Sequence, residues 1–252
     1  MARITDFFKP VKDFSNSKEL DYKHTNALLE ALIILSRVLN LSIYVIDYYK
    51  KEFAYVSEHP LFLCGYDHEK VKTMGYNYFE QIVIPDDLNM LLEINEKGFD
   101  FFYNLPTNRR THCFISYDFR VKHQNGNIFL INHKLVPFHV LTSGEMWLAI
   151  CLVSLSENIK PGNVYIQMLN EPVKYIYSFK QKKFNLQGSV KLSDKEKTIL
   201  KLSSLGYTSK EIADRIYKDL NTVKFHKSNI FKKLEVRNIT EAIDFAVKNG
   251  II

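Results

Sequence analysis

The apolar positions near the start of the chain follow a helical period. Leu28, Leu32 and Leu35 recur at spacings of three and four residues, as on one face of a helix. Asn16 is a suitable N-cap, so we predict an opening helix over about Ser17–Leu39. The apolar stripe would either pack on its own domain or form a dimer seam, and both interpretations fit the sequence.

The pattern then changes to β-branched and aromatic runs, which predict strands. Two strands are predicted first, and a mixed region with helical spacing and turn residues follows to about Gly98. Asn125-Gly126 lies between two later β-rich runs and predicts a hairpin. The five predicted strands are Ser42–Asp47, Phe53–Ser57, His112–Val121, Ile128–Val140 and Glu145–Leu155.

A less regular segment covers residues 156–188. Asn163–Leu169 and Val173–Lys180 alternate like two further strands, whereas the basic stretch that begins at Lys180 and the Gln187-Gly188-Ser189 run read as a linker. We interpret this segment as a β extension that leads into a linker.

The last 64 residues predict four short helices. Two of them open with a capping box, in which Ser or Thr is followed three residues later by Glu. Asp219 and Asn238 are suitable caps for the other two. The capping boxes are Ser193–Glu196 and Thr208–Glu211, and Gly206 is placed where a left-handed residue would end the first helix.

The third of these helices has two contrasting faces. Val223, Ile230 and Leu234 share an apolar face, which we expect to be buried. The opposite face is polar and basic but includes an aromatic residue, and it carries Asn221, Lys224, Phe225, Ser228 and Lys232. A helix of this width fits the major groove of DNA, although a merely solvated helix face is the alternative.

Charge divides unevenly along the chain. The net charge is +6, of which residues 189–252 carry +5, residues 156–188 carry +3 and residues 1–155 carry −2. A basic terminal module on a near-neutral body favours a polyanionic partner, with a solvated basic surface as the alternative.

Composition places the chain among soluble globular proteins, with 46% hydrophobic and 25% charged residues. No apolar run is long enough to span a membrane, and no export signal is visible at the start. Cys64, Cys113 and Cys151 lack the number and spacing of a disulfide framework or a zinc site. We therefore expect a cytoplasmic protein that does not act on membranes.

Residues 40–155 resemble a PAS domain. The resemblance rests on an ordered set of motifs rather than on any single one. They are Phe53–Ser57 followed by Phe62–Tyr66, then Ile84–Leu88, and then Tyr117–Lys122 followed by Asn125–Asn127. It implies a domain that senses a ligand or a partner.

Residues 189–252 resemble the LuxR-type helix-turn-helix through the runs Leu192–Leu200, Gly206–Ala213 and Thr222–Leu234. The resemblance implies three sets of site residues. Those facing bases are Lys224, Phe225 and Ser228; those near phosphates are Lys210, Asn221, Thr222, Lys227 and Lys232; those at a dimer contact on the fourth helix are Ala242, Phe245, Ala246 and Asn249. His226 matches the motif as well, but it is equally interpreted as a packed structural histidine.

The sequence does not indicate an enzyme, because it lacks the P-loop, the paired-His metalloprotease and the serine-nucleophile motifs. His112 and Cys113 would point to opposite faces of a strand, which argues against a shared metal ion. The aromatic residues of the body are expected in the core, with a small apolar ligand pocket among them as the alternative. We therefore expect no catalytic residues, no metal and no cofactor.

The resulting prediction is an α+β chain with a PAS-like antiparallel sheet and flanking helices, plus a small all-α four-helix helix-turn-helix domain. Its segments are 1–39 (helical), 40–155 (PAS-like), 156–188 (extension and linker) and 189–252 (DNA-binding). The predicted function is a homodimeric, sequence-specific transcription regulator that binds double-stranded DNA at an inverted repeat. The alternatives are an adaptor whose terminal helices bind a protein, and a redox or gas sensor with an unrecognised cofactor.

Overall fold

The computed structural model describes residues 4–14, 19–187, 192–234, 236–248 and 251–252. The chain divides into two compact units. The first extends to Leu186 and contains the strands, and the second contains the helices from Asp194 onward.

The N-terminal unit begins with a short 3-10 helix at Ile4–Phe8 and with α1, Tyr22–Val38. Two strands are followed by a helical region and then by the remaining strands. The helices are α2 Pro60–Leu63, α3 His68–Met74, α4 Tyr78–Ile82 and α5 Pro85–Asn104, with 3-10 helices at Gly75–Asn77 and Thr107–Arg109. The strands are β1 Ser42–Asp47, β2 Glu52–Val56, β3 Cys113–Lys122, β4 Ile128–Val140, β5 Met146–Leu155, β6 Gly162–Met168, β7 Lys174–Ser178 and β8 Lys183–Leu186.

These strands form one antiparallel sheet in the order β2-β1-β5-β4-β3-β6-β7-β8. The predicted succession of two strands, several helices and three strands is confirmed. So is the hairpin: Gly126 has φ +92°, and the backbone N–H of His123 donates to the carbonyl of Asn127 over 2.8 Å. The N-terminal unit is therefore the predicted PAS-like sheet with flanking helices.

The sheet continues beyond the five predicted PAS-like strands. Strand β6 pairs with β3, and β7 and β8 follow outward, so residues 162–186 belong to the same sheet as residues 42–155. Strand β8 was not predicted, because its four alternating residues directly follow the basic stretch that was interpreted as a linker. Phe184 of β8 contacts Phe101 and Tyr177 through its ring, and these contacts hold the strand in place.

The core of the N-terminal unit is rich in aromatic rings. Tyr44 and Phe62 stack with their ring centroids 4.3 Å apart. Phe79, Phe102 and Phe119 are buried, as expected, whereas Phe101 and Phe114 are half-buried. Such rings fill the space between sheet and helices, and edge-to-face and stacked pairs add to the gain from burial.

Helix α1 begins later than predicted, and only part of its apolar stripe packs on its own domain. Asp21 caps it, accepting a hydrogen bond from the backbone N–H of His24 over 3.0 Å. The predicted start, with Asn16 as cap, lies outside the described residues. The buried residues of the helix are Thr25 and Ser36, and most of its apolar stripe is exposed.

A buried carboxylate joins several strands near one end of the sheet. Asp118 on β3 is fully buried and accepts hydrogen bonds from the side-chain amides of Asn132, Asn158 and Asn163, over 2.8, 2.7 and 2.8 Å. These amides come from β4, from the loop after β5 and from β6. Because buried carboxylates need donors, this network fixes the loop that joins β5 to β6.

The C-terminal unit consists of α6 Asp194–Ser204, α7 Ser209–Arg215, α8 Leu220–Leu234 and α9 Ile239–Lys248. The four predicted helices are confirmed. Both capping boxes form with reciprocal hydrogen bonds, and Gly206 has φ +87° after α6. Their apolar faces meet in one core, which includes Ile199, Leu200, Ile212, Val223 and Ile230.

Across the parts of the chain that the structure describes, no helix is both long and apolar enough to cross a membrane. The same residues contain no group of three or more His, Cys, Asp or Glu side chains that could hold a metal ion.

Candidate DNA-binding surface

The orientation of α8 follows its sequence pattern. Val223, Ile230 and Leu234 are buried against the other helices, as predicted. The side chains on the opposite face are exposed, and they are Asn221, Lys224, Phe225, Ser228 and Lys232. Phe225 is 62% exposed, although an aromatic ring gains little from water. The helix therefore presents donors and an apolar ring on one side.

All three residues predicted to face bases lie on this exposed side. Ser228 follows Lys224 by four residues and Phe225 by three, and residues at these spacings are neighbours on the surface of a helix. An exposed lysine and an exposed hydroxyl supply hydrogen-bond donors, and the ring supplies an apolar contact. The geometry thus groups the three residues, while their contact with DNA remains a prediction.

The N-terminus of α8 is already capped. The backbone N–H of Thr222 donates to Asp219 Oδ1 over 2.8 Å, and the Thr222 hydroxyl donates to Asp219 Oδ2 over 2.6 Å. These hydrogen bonds hold the pKa of the Asp219 carboxyl below its usual range. Because Asp219 occupies the hydroxyl and one first-turn amide, Thr222 is less available to a phosphate than its sequence position suggests.

Lys227 also has a partner within the unit. It is half-buried, and its Nζ donates to Ser209 Oγ on α7 over 3.0 Å. Burial lowers its pKa. Lys227 therefore links α7 to α8, whereas Lys210 and Lys232, the other predicted phosphate contacts with amine side chains, are exposed.

An ion pair with a buried carboxylate anchors the far end of α8. Lys233 Nζ lies 2.7 Å from Glu196 Oε2 on α6, and the glutamate side chain is only 3% exposed. Burial alone would raise the pKa of Glu196, but the hydrogen bonds from Lys233 and Ser193 outweigh it and hold that pKa below its ordinary value. The sequence marks Glu196 as a capping residue, but it does not show that the same carboxylate positions α8.

The turn before α8 contains a strained residue. Tyr217 has φ +54° and is exposed. This left-handed conformation disfavours residues with a large side chain, and turns of this kind often use glycine. The backbone N–H of Lys218 donates to the carbonyl of Ala213 over 3.0 Å, which fixes the turn between α7 and α8.

The predicted dimer contact on α9 is corrected for two of its residues. Ala242 and Ala246 are fully buried in the core of their own unit, so they offer no surface to a second copy. The helix turns these small residues inward because they fit against α6 and α8. Phe245 is half-buried, and Asn249 lies outside the described residues.

His226 is half-buried, with its ring centroid 5.8 Å from that of Phe225 in an edge-to-face arrangement. It therefore supports the neighbouring ring, and both interpretations of this histidine remain compatible with its position.

The N-terminal unit contains a small cavity between α5 and the sheet. Its volume is about 50 Å³, and its lining includes Tyr48, Asn95, Phe101, Ile115 and Tyr117. None of the described residues that line it is charged. Burial raises the pKa of both tyrosines, so their hydroxyls stay protonated and uncharged at neutral pH.

Comparison with known proteins identifies the C-terminal unit. Residues 190–246 match the family described as GerE, bacterial regulatory proteins of the luxR family. This segment is therefore a LuxR-family helix-turn-helix domain, and the predicted resemblance is confirmed.

Curated relatives share part of the chain. The oxygen regulatory protein NreC of Staphylococcus aureus is 29% identical over 128 residues, which cover 46% of this chain and 58% of that protein. The response regulator protein VraR of the same species is 41% identical over 61 residues, which cover 24% of this chain and 29% of that protein. The chain thus spans less than two thirds of either relative. Both relatives are named as regulatory proteins.

Among solved structures, the chain is similar to the VqmA dimer of Vibrio cholerae, with 16% identity and a TM-score of 0.34 over 88% of both chains. It is also similar to the PAS domain of an HTR-like protein from Haloarcula marismortui, with 16% identity and a TM-score of 0.34 over 55% of this chain and 98% of that one.

Proposed function

We propose that the chain is a sequence-specific, DNA-binding transcription regulator that acts as a homodimer in the cytoplasm. In this proposal, α8 enters the major groove, and the PAS-like unit receives a ligand or a partner that modulates DNA binding. The observation that carries the proposal is the exposed face of α8, where Lys224, Phe225 and Ser228 lie together opposite a buried apolar face.

Each of the three residues has a chemical counterpart on base edges. A lysine amine donates to the O6 and N7 acceptors of guanine, and a hydroxyl serves as donor or acceptor. An aromatic ring contacts the methyl group of thymine, which explains why an exposed Phe225 is useful on this face. Together they favour readout of a short mixed sequence by each helix.

The phosphate contacts follow from the exposed polar side chains around this face. Lys210 and Lys232 are exposed amines and Asn221 is an exposed amide, so all three can reach backbone oxygens. Thr222 and Lys227 would have to leave Asp219 and Ser209 to do so. We therefore assign the first three the larger share of the phosphate contacts.

A two-fold dimer presents two recognition helices and therefore favours an inverted repeat, with half-sites about one helical turn apart. A signal at the PAS-like unit would shift DNA binding only if it stabilises one dimer geometry over another.

Salt dependence tests whether the terminal unit binds DNA. Fluorescence anisotropy of a labelled duplex, titrated with the full chain from about 50 to 200 mM salt, should show a steep loss of affinity, because each neutralised phosphate releases counterions. Lys224→Ala should weaken binding, whereas Lys72→Ala should leave it unchanged, since Lys72 is an exposed lysine on α3 of the other unit. No binding at low salt would favour the adaptor instead.

The ligand part of the proposal rests on the uncharged cavity. At about 50 Å³, it is smaller than the roughly 150 Å³ apolar cavity that binds benzene, so a ligand larger than a few atoms would have to displace lining side chains such as the half-buried Phe101. Phenol, as a small uncharged probe, should raise the melting temperature of the wild-type chain but not that of the cavity-filling variant Ile115→Phe. An equal shift in both chains, or none in either, would contradict ligand binding in this cavity.

A further inference from the structure

We propose that α1 pairs with α1 of a second copy of this chain, antiparallel across a two-fold axis. The inference rests on the homodimer of the proposed function and names the surface that forms it.

The rotation of α1 about its axis is fixed by polar contacts. Ser36 and Thr25 face the sheet, each 3% exposed, and Ser36 Oγ lies 2.8 Å from the Tyr55 hydroxyl on β2. At the other end, the Tyr22 hydroxyl donates to Asp47 Oδ2 over 2.9 Å. Leu29 and Leu32 lie on the same inner face and pack against the buried cluster around Trp147, so this face of α1 combines polar and apolar contacts.

The apolar residues on the opposite side of α1 consequently face away from their own domain. Ile34, Leu35 and Val38 are 62%, 52% and 75% exposed, and Leu28 and Leu39 are also exposed. Single exposed apolar residues are ordinary, but a continuous stripe along a helix marks an interaction surface. On the helix itself, Ala27, Ala31, Ile34 and Val38 follow alternating spacings of four and three, which is the spacing of a helix-pairing seam.

The charges beside the stripe favour a second copy as the occupant. One flank carries Lys23, Glu30 and Arg37 at seven-residue intervals, and the other flank carries Leu28 and Leu35. In an antiparallel pair the same flank of each helix meets its own symmetry copy. Glu30 then lies opposite Arg37 of the second copy, and the two-fold axis generates the same ion pair twice.

A parallel pair would not make these ion pairs, because the charged flank would meet the mostly apolar one. In the free chain, Arg37 lies 3.4 Å from Glu58, but both side chains are 68% exposed. An exposed pair of this kind contributes little, so Arg37 can exchange Glu58 for Glu30 of the second copy.

The size of the surface sets the expected affinity. Helix α1 has 17 residues, so the contact is roughly 25 Å long. A standard interface buries about 800 Å² on each partner, and a single helix pair lies at the small end of that range. We therefore expect dimerisation in the micromolar range in the absence of DNA.

Sedimentation velocity of the full chain over about 1 to 100 μM tests the interface. The wild-type chain should shift from monomer to dimer, whereas Ile34→Glu should remain monomeric at the highest concentration. The matched control is Ile159→Glu, because Ile159 is 96% exposed on the same unit but outside α1, and it should behave as wild type. A wild-type chain that is monomeric throughout, or an Ile34→Glu chain that dimerises normally, would overturn the proposal. Circular dichroism checks that each variant is folded.

Two further variants test the antiparallel arrangement. Glu30→Arg should weaken dimerisation at least tenfold, and adding Arg37→Glu should restore it, because the swapped charges again oppose each other. Under oxidation, Ile34→Cys should cross-link two copies, since Ile34 lies near the two-fold axis. Ala27→Cys should not, since antiparallel pairing separates its copies by roughly 20 Å. The native cysteines are buried and should not compete. Cross-linking at both positions would overturn the antiparallel arrangement.

Failure of this inference is distinguishable from failure of the proposed function. A chain that dimerises through α1 but selects no DNA would refute the function and keep the interface. A chain that selects an inverted repeat and forms dimers insensitive to Ile34→Glu would refute the interface and keep the function.

Discussion

Glu196 is the residue whose substitution tests most sharply how α8 is held in place. Its carboxylate accepts hydrogen bonds from the Ser193 backbone N–H and the Lys233 amine, each over 2.7 Å, and from the Ser193 hydroxyl over 3.0 Å. Glu196→Gln keeps an acceptor for the cap but removes the charge that attracts Lys233. Glu196→Ala removes both interactions.

The two variants should therefore differ in stability. The Lys233 side chain is 42% exposed, so water compensates for part of the lost ion pair, and we expect Glu196→Gln to cost about 1 kcal/mol. Glu196→Ala also leaves the Ser193 N–H without its acceptor and loses the cap, which raises the expected cost to about 2–3 kcal/mol.

Urea unfolding of the full chain measures both costs. Far-UV circular dichroism follows the helices of both units, whereas Trp147, the single tryptophan, reports on the N-terminal unit by fluorescence. A dichroism change without a change in Trp147 fluorescence therefore belongs to the C-terminal unit. We expect the dichroism transition to move to lower urea in both variants and the Trp147 transition to stay in place. Equal stability of wild type and Glu196→Ala would refute the view that this carboxylate anchors α8.

The pH dependence has a definite sign. The pKa of Glu196 is lower in the folded chain than its ordinary value, so the ionised form stabilises the fold. This contribution is present above the unfolded pKa of about 4.3 and is lost as pH falls through the folded pKa. The stability difference between wild type and Glu196→Gln should consequently be largest near neutral pH and shrink as pH falls from about 5 to 3.

Three other substitutions have expected outcomes. Lys224→Ala should weaken binding to the preferred duplex by about 1–3 kcal/mol in anisotropy titrations, and unchanged affinity would remove it from the base-reading set. Tyr217→Asn should raise the free energy of unfolding by about 0.5 kcal/mol, because asparagine tolerates the left-handed conformation better. A lower stability would show that the tyrosine side chain makes a favourable contact. Asp118→Asn should lower the free energy of unfolding of the N-terminal unit by about 2–4 kcal/mol, because the new amide group faces three amide donors. Trp147 fluorescence measures this change, and an unaffected transition would contradict the role of the buried carboxylate.

Local signals predicted much of the fold. Caps such as Ser193 and Thr208, the Asn125-Gly126 turn and the alternation of the first five strands act over a few residues, so they are visible in the sequence. Strand β8 was not predicted because four alternating residues beside a basic stretch are a weak pattern, and the ring contact of Phe184 with the distant Phe101 cannot be seen in the sequence. The exposed face of α8 was predictable from the spacing of its apolar residues.

Other features depend on tertiary contacts and could not be predicted from spacing. The apolar residues of α1 fit a buried helix face equally well, and only the tertiary contacts of Tyr22, Leu32 and Ser36 decide which of them point outward. Likewise, Ala242 and Ala246 match a family position for dimer contacts, but their burial depends on how closely α9 packs against its neighbours. Asp219 accepts a hydrogen bond from the Thr222 hydroxyl because it caps α8, and this hydrogen bond competes with phosphate binding.

Selection from random duplex DNA with the full chain at moderate salt tests the central claim most directly. We expect enrichment of an inverted repeat, with half-sites about 10 base pairs apart, and loss of preference at one position of each half-site for Lys224→Ala. Repeating the selection with residues 188–252 removes any inhibition by the N-terminal unit. No enriched motif in either selection would contradict sequence-specific DNA binding by this chain.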